Sequence, residues 1–191
     1  VYLHSTFPEA EIQKEKGVIV EEINMYEDMP HRHVHDLFAS LLYGDQPAGR
    51  NIAGTRESVR SFTRGDFVKY HGKHYVPGAT LVVVAGGVDA KKVSAEVSRV
   101  FGKLASTKKT GKKKVMDVQK TPAVRIKEKK TDQTHLVLGF RTFPVTDEKR
   151  NPSLAVLGTV LAGGMSSRLF QKLREEMGVC YYVRAGNDPY T

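Results

Sequence analysis

The sequence predicts an α+β chain made of two units, both incomplete, joined by a basic linker. Three observations carry that prediction. Stretches with helical spacing of apolar residues alternate with short β-branched runs. Lys108, Lys109, Lys112, Lys113 and Lys114 stand among Ser106, Thr107, Thr110 and Gly111, a composition that has nothing to bury and reads as a solvated tether. The last β-branched run, at 179–183, begins a strand whose partners have not appeared by Thr191. The units are expected at 1–105 and 123–191, with 106–122 as the hinge linker.

In order, Pro8 is a tolerated first-turn proline and Pro30 marks the far end of a first helix. A second helix runs from there to about Tyr43, burying Val34, Leu37, Phe38, Leu41 and Leu42, with Gly44 as its stop. A Gly/Pro/Asn-rich loop follows. Thr55 caps a short helix ending near Phe62, and Thr63 with Asp66 caps another reaching about Tyr75. The β-branched run 79–85 is predicted as a buried strand closed by Gly86-Gly87. Asp89 opens an amphipathic helix carried by Val93, Val97, Val100, Phe101 and Leu104.

Beyond the linker, Val124 and Ile126 alternate with Arg125 and Lys127, and 134–141 is a second run; both are predicted as strands. Asn151-Pro152 is a helix start, with Asn as cap and Pro at the first position. That helix carries Leu154, Leu157 and Leu161 until Gly163-Gly164 interrupts it. Another runs from Ser166 to Met177 and stops at Gly178, before the strand at 179–183.

Composition excludes several function classes. The 191 residues are 40% hydrophobic and 27% charged, enough for one good core or two small ones. No run of about 18 apolar residues exists to span a membrane. A single cysteine, Cys180, leaves no internal disulfide and no zinc-ribbon spacing. The formal charge of +9 raises nucleic-acid binding, but much of it is the lysine tether, without interleaved aromatics or a recognition motif, so no nucleic-acid partner is expected. The start at Val1, without Met or a signal peptide, reads as a processed or cut chain. The compartment, cytoplasmic or periplasmic for a soluble protein, stays open.

The chemistry-bearing pattern lies in the first helix. Ile12, Glu15, Ile19, Glu22 and Tyr26 are spaced 3, 4, 3 and 4, one face of a helix. Glu15 and Glu22 are then almost two turns apart, roughly 10 Å along the axis. An ionised carboxylate on a buried face is costly unless it is paired or holds a metal. The pattern fits either a structural ion pair or a functional site completed by residues far from this helix.

The segment Leu161-Ala-Gly-Gly-Met-Ser-Ser-Arg-Leu-Phe-Gln-Lys-Leu-Arg-Glu-Glu-Met-Gly-Val-Cys-Tyr-Tyr-Val183 resembles a signature of the insulinase-like zinc peptidases, the group that includes pitrilysin and the mitochondrial processing peptidase. Glu15-Lys-Gly-Val-Ile-Val-Glu-Glu-Ile23 is similar to that family's downstream metal-ligand helix, and the order of elements between the two agrees. The resemblance implies two homologous sandwich-like units, mostly antiparallel sheet with helices on one side. It also implies a zinc cofactor held by the histidines of a His-x-x-Glu-His motif, whose glutamate is the general base. Glu22 aligns with the third zinc ligand, and Glu15 with a residue that orients the site. Arg174 and Tyr181 match a pair in the second half that meets the substrate carbonyl.

No His-x-x-Glu-His occurs in this sequence. The chain is therefore expected to be the middle of a peptidase acting on peptides or unfolded polypeptides, inactive alone. The alternative is a non-catalytic scaffold or partner subunit of the same family. Open edges favour a homo-oligomer or a paired homologous subunit. Other motifs have plainer readings. His31, His33 and His35 follow Pro30 at a helix start, and His71 and His74 are surface groups. Cys180 has no histidine base near it in sequence, and the glycine pairs lack phosphate-loop spacing.

Overall fold

The computed structural model describes residues 2–104, 111–117 and 119–188. Of the expected linker, 106–110 and 118 lie outside the described residues. The chain divides into two compact units, Val1–Val137 and Leu138–Thr191.

The first unit is built on α1 (Glu9–Glu27), which packs on α2 (Pro30–Tyr43) and α3 (Arg56–Ser61). Pro8 precedes α1, and its carbonyl accepts the first two helical N–H bonds, from Glu11 and Ile12, both at 3.1 Å. Pro30 is the first residue of α2, where its missing N–H costs nothing. Val20 and Ile23 of α1 meet Val59 of α3, with Ile19 and Ala53 alongside. Burying these apolar side chains is the main attraction holding α1 to α3. The expected face of α2, Val34 through Leu42, is half-buried.

Caps form where short polar side chains precede apolar periods. The Ser58 N–H donates to Thr55 Oγ1 (3.2 Å), and the Thr55 N–H to Ser58 Oγ (2.9 Å). At the start of α4 (Arg64–His74), Asp66 accepts from the Thr63 N–H and hydroxyl at 2.8 and 2.7 Å. Asp89 accepts the Lys91 and Lys92 N–H groups at the start of α5 (Ala90–Phe101). Residues beyond the lysine tether meet α2 and its flanks at separate points. Gln46 exchanges two bonds with the Met116 backbone, Arg125 donates to Ser40 Oγ (2.7 Å), Lys129 pairs with Asp28 (2.7 Å), and the His135 ring stands 6.2 Å from that of His31.

The second unit holds α6 (Asn151–Ala162) and a π-helical segment, Phe170–Glu176. Asn151 does not cap α6. Its side-chain amide donates instead to the carbonyls of Pro144 (2.9 Å) and Val145 (3.3 Å), and Arg150 takes the cap position. The expected helix 166–177 is thus mostly π-helical, stopped at Gly178 in the left-handed region (φ +62°).

The α+β expectation is overturned: the described residues are helical, with no β-strand and no sheet. Neither sandwich-like unit of mostly antiparallel sheet forms. The runs at 79–85, 124–126, 134–141 and 179–183 have strand composition, but none forms a strand among the described residues. A strand exists only when its N–H and C=O groups are paired by another. Many of their apolar side chains stay outside instead, as at Leu81 (86% exposed), Ile126 (82%) and Leu136 (87%).

Candidate active-site residues

Glu15 and Glu22 both project from α1 into solvent. On the expected seam Ile12 is buried and Ile19 and Tyr26 are half-buried, yet the buried stripe runs through Ile12, Val20 and Ile23. The premise that the two carboxylates are buried is therefore corrected. So is the ion-pair alternative: neither glutamate has a hydrogen-bond or salt-bridge partner among the described residues. Glu11 pairs with Lys14 (2.8 Å), and two further paired acids lie at the end of α1. Glu27 takes both guanidinium ends of Arg56 (3.1 and 2.7 Å), while Arg56 Nε donates to Asn24 (2.8 Å). That hydrogen-bonded pairing, with the Arg56 charge beside it, holds the Glu27 carboxyl below its ordinary range. Lys129 does the same to Asp28.

A catalytic zinc takes three protein ligands and an open position. Among the described residues no group of three or more His, Cys, Asp or Glu side chains is placed to hold a metal. The donor set among the described residues therefore does not fit a zinc by itself. The His31 and His135 rings stand 6.2 Å apart, with no third donor among the described residues to make a metal site. A hollow of about 380 Å³ beside α1 is lined by Gln13, Lys16, Gly17, Val20, Glu21 and Arg60, and includes neither predicted glutamate.

In the second unit, Arg174 sits in the π-helical segment and Tyr181 three residues past the Gly178 turn. The Arg174 side chain is 44% exposed and Tyr181 84%. The Arg174 guanidinium lies over the Phe170 ring, 4.7 Å from its centroid, and its Nε is 3.8 Å from Glu175 Oε1. Both groups are hydrogen-bond donors open to solvent. A Cβ on Gly158 of α6 would stand 3.7 Å from the Ala185 carbonyl, so α6 backs the segment that carries Tyr181. Sequence reading missed Phe170, although its position four residues before Arg174 is the signal for such a pair. It also misjudged His71. That ring is half-buried, stacks on Tyr75 at 4.3 Å, and has Nε2 2.8 Å from the Tyr2 carbonyl oxygen. Cys180 is a half-buried free thiol.

Residues 61–191 match the family model described as the peptidase M16 inactive domain. The chain belongs to the peptidase M16 family, as the Leu161–Val183 segment indicated. An uncharacterized zinc protease of Bacillus subtilis is 40% identical over all of this chain and 46% of its own length. One from Streptomyces coelicolor is 38% identical over 94% of this chain and 40% of its own. The chain thus spans less than half the length of these relatives. In fold it is similar to the peptidase M16 inactive domain from Pseudomonas fluorescens (TM-score 0.72, 19% identity, 99% of this chain and 46% of that one). A protease from Helicobacter pylori is similar too (TM-score 0.69, 22% identity, 97% and 46%). No helix among the described residues is long and apolar enough to cross a membrane.

Proposed function

We propose that this chain is part of a longer zinc-dependent endopeptidase, and that it does not cleave peptides by itself. Membership of the M16 family, with curated relatives named zinc proteases, is the observation that carries the reading. The units are proposed to follow the 1–105 and 123–191 division, hinged at 106–122. Zinc, when bound, supplies a water activated near neutral pH. Glu22 would be one of its ligands beside the histidines of a His-x-x-Glu-His motif, with Glu15 supporting the site. An exposed carboxylate with no competing partner among the described residues is suited to that part.

Arg174 and Tyr181 are assigned to the substrate. The guanidinium keeps its charge at any working pH and presents several N–H donors, and the phenol adds an O–H donor. Donors aimed at a carbonyl oxygen stabilise it most as it gains negative charge, lowering the barrier to attack on a peptide bond. The substrate class is therefore a peptide or an unfolded polypeptide.

The test is cleavage of a quenched fluorescent peptide mixture by the full-length protein and its Arg174→Ala and Tyr181→Phe variants. Each variant should lose about 10²-fold or more in kcat with zinc content unchanged. Full activity in both would remove them from the site. A second reading, a non-catalytic partner subunit, is favoured by the family model's description as an inactive domain. It predicts no zinc and no cleavage in the full-length protein, whose sequence would then lack His-x-x-Glu-His.

A further inference from the structure

Arg174 carries a flexible side chain, and a donor that must meet a developing charge is worth most when it is already in place. Among the described residues its charge partner is Glu175, whose oxygen at 3.8 Å is beyond hydrogen-bonding distance and orients it weakly. The Phe170 ring, half-buried and one turn earlier, lies under the guanidinium at 4.7 Å. We infer that Phe170 is a positioning residue for Arg174, fixing the plane of the guanidinium by a cation–π contact inside a π-helical turn. The inference rests on the peptidase reading above and deepens it.

Two features make the ring suited to that work. A carboxylate partner would consume N–H donors, whereas a ring face attracts the cation through its quadrupole and leaves the N–H edges free for the substrate. The backbone is also specialised. The Met177 N–H bonds to the Lys172 carbonyl at 3.1 Å, the five-residue step of a π-helix, and such turns are rare and concentrate at functional sites. The segment is anchored at its start. Ser167, buried, donates its hydroxyl to the Gly164 carbonyl (2.6 Å), and its own carbonyl accepts from the Gln171 N–H (3.0 Å). Phe170 thus stands on a fixed base while Arg174 reaches outward.

The experiment is a double-mutant cycle in the full-length protein: Phe170→Leu, Arg174→Ala and the two together, with Phe170→Tyr as the conservative variant. kcat and KM are measured on a quenched fluorescent peptide, with zinc content as control. Phe170→Leu should lower kcat about two- to fivefold with KM unchanged, the range expected of one exposed cation–π contact. Phe170→Tyr, which keeps the ring, should restore kcat, and Phe170→Leu should have no further effect once Arg174 is alanine. An equal loss with and without Arg174, or no loss at all, overturns the positioning role. Should Phe170→Leu fail to fold, Phe170→Met takes its place in the same cycle. If Arg174→Ala alone leaves kcat intact, the assignment of Arg174 to the substrate has failed first, and the role of Phe170 falls with it.

Discussion

Two neighbouring residues of α1 separate structure from function. Ile23 is 7% exposed and packs in the cluster with Val20 and Val59, whereas Glu22 is exposed and has no partner among the described residues. Ile23→Ala deletes three carbon groups from a buried site, each worth about 0.8 kcal/mol. That gives about 2.4 kcal/mol before any cavity cost. The cluster is small and borders solvent, so it can relax, and a total of about 2–3 kcal/mol is expected. Glu22→Gln keeps the shape and removes an exposed charge without a hydrogen-bond or salt-bridge partner among the described residues, so its effect on stability should stay within about 0.5 kcal/mol. The assay is urea unfolding of the full-length protein followed by far-UV circular dichroism, read as a change in midpoint at constant slope, in metal-free buffer. Metal-free conditions matter because a bound ligand adds its own stabilisation. If Glu22→Gln destabilises as much as Ile23→Ala, the carboxylate is part of the packing and its exposure has been misread. The case for Glu22 as a ligand then fails.

Other outcomes follow from the same contacts. Gly178→Ala places a Cβ where nothing lies within 4 Å, but at φ +62°, so it should cost about 1 kcal/mol from the backbone alone and lower cleavage by shifting Tyr181 against Arg174. Thr55→Ala removes the α3 capping box and should cost about 1 kcal/mol in the same unfolding assay, while Thr55→Ser should be nearly neutral. Glu27 and Asp28 have folded-state carboxyls held below their ordinary range by Arg56 and Lys129. Their contribution is therefore complete at neutral pH and is lost as pH falls through the ordinary carboxylate range and then through the lowered folded-state values. Glu27→Gln should flatten that acid limb of the stability profile, and an unchanged limb would contradict the pairing.

The helices were legible because their signals are local. Thr55 and Asp89 precede apolar periods and accept the first N–H groups of α3 and α5, Thr63 donates to Asp66 at the start of α4, and the face from Val93 to Phe101 on α5 is the half-buried one. Strands are not local. The β-branched run at 79–85 has the right composition, but a ladder needs a second backbone, and no residue's own propensity supplies one. The misplaced seam of α1 has a similar origin. Ile12 belongs to both the expected and the observed stripe, and on a helix so rich in charge the 3–4 spacing fitted two lines about equally. Only contact with Val59, more than thirty residues away, decides for Val20 and Ile23. His71 was misjudged because the rings around it, Tyr2, Phe7 and Tyr75, come mostly from the other end of the unit. Arg174 and Tyr181 were singled out only through the resemblance of their segment, since neither burial nor charge marks them.

The central claim, that this chain lends a ligand to a catalytic zinc, is tested most directly by metal analysis of the full-length protein and its Glu22→Gln variant. Zinc is measured alongside chelator-sensitive peptide cleavage. About one zinc per chain in the native protein, with zinc and cleavage both largely lost in the variant, is the predicted result. A native protein that binds no zinc, or a variant that keeps both, contradicts the account.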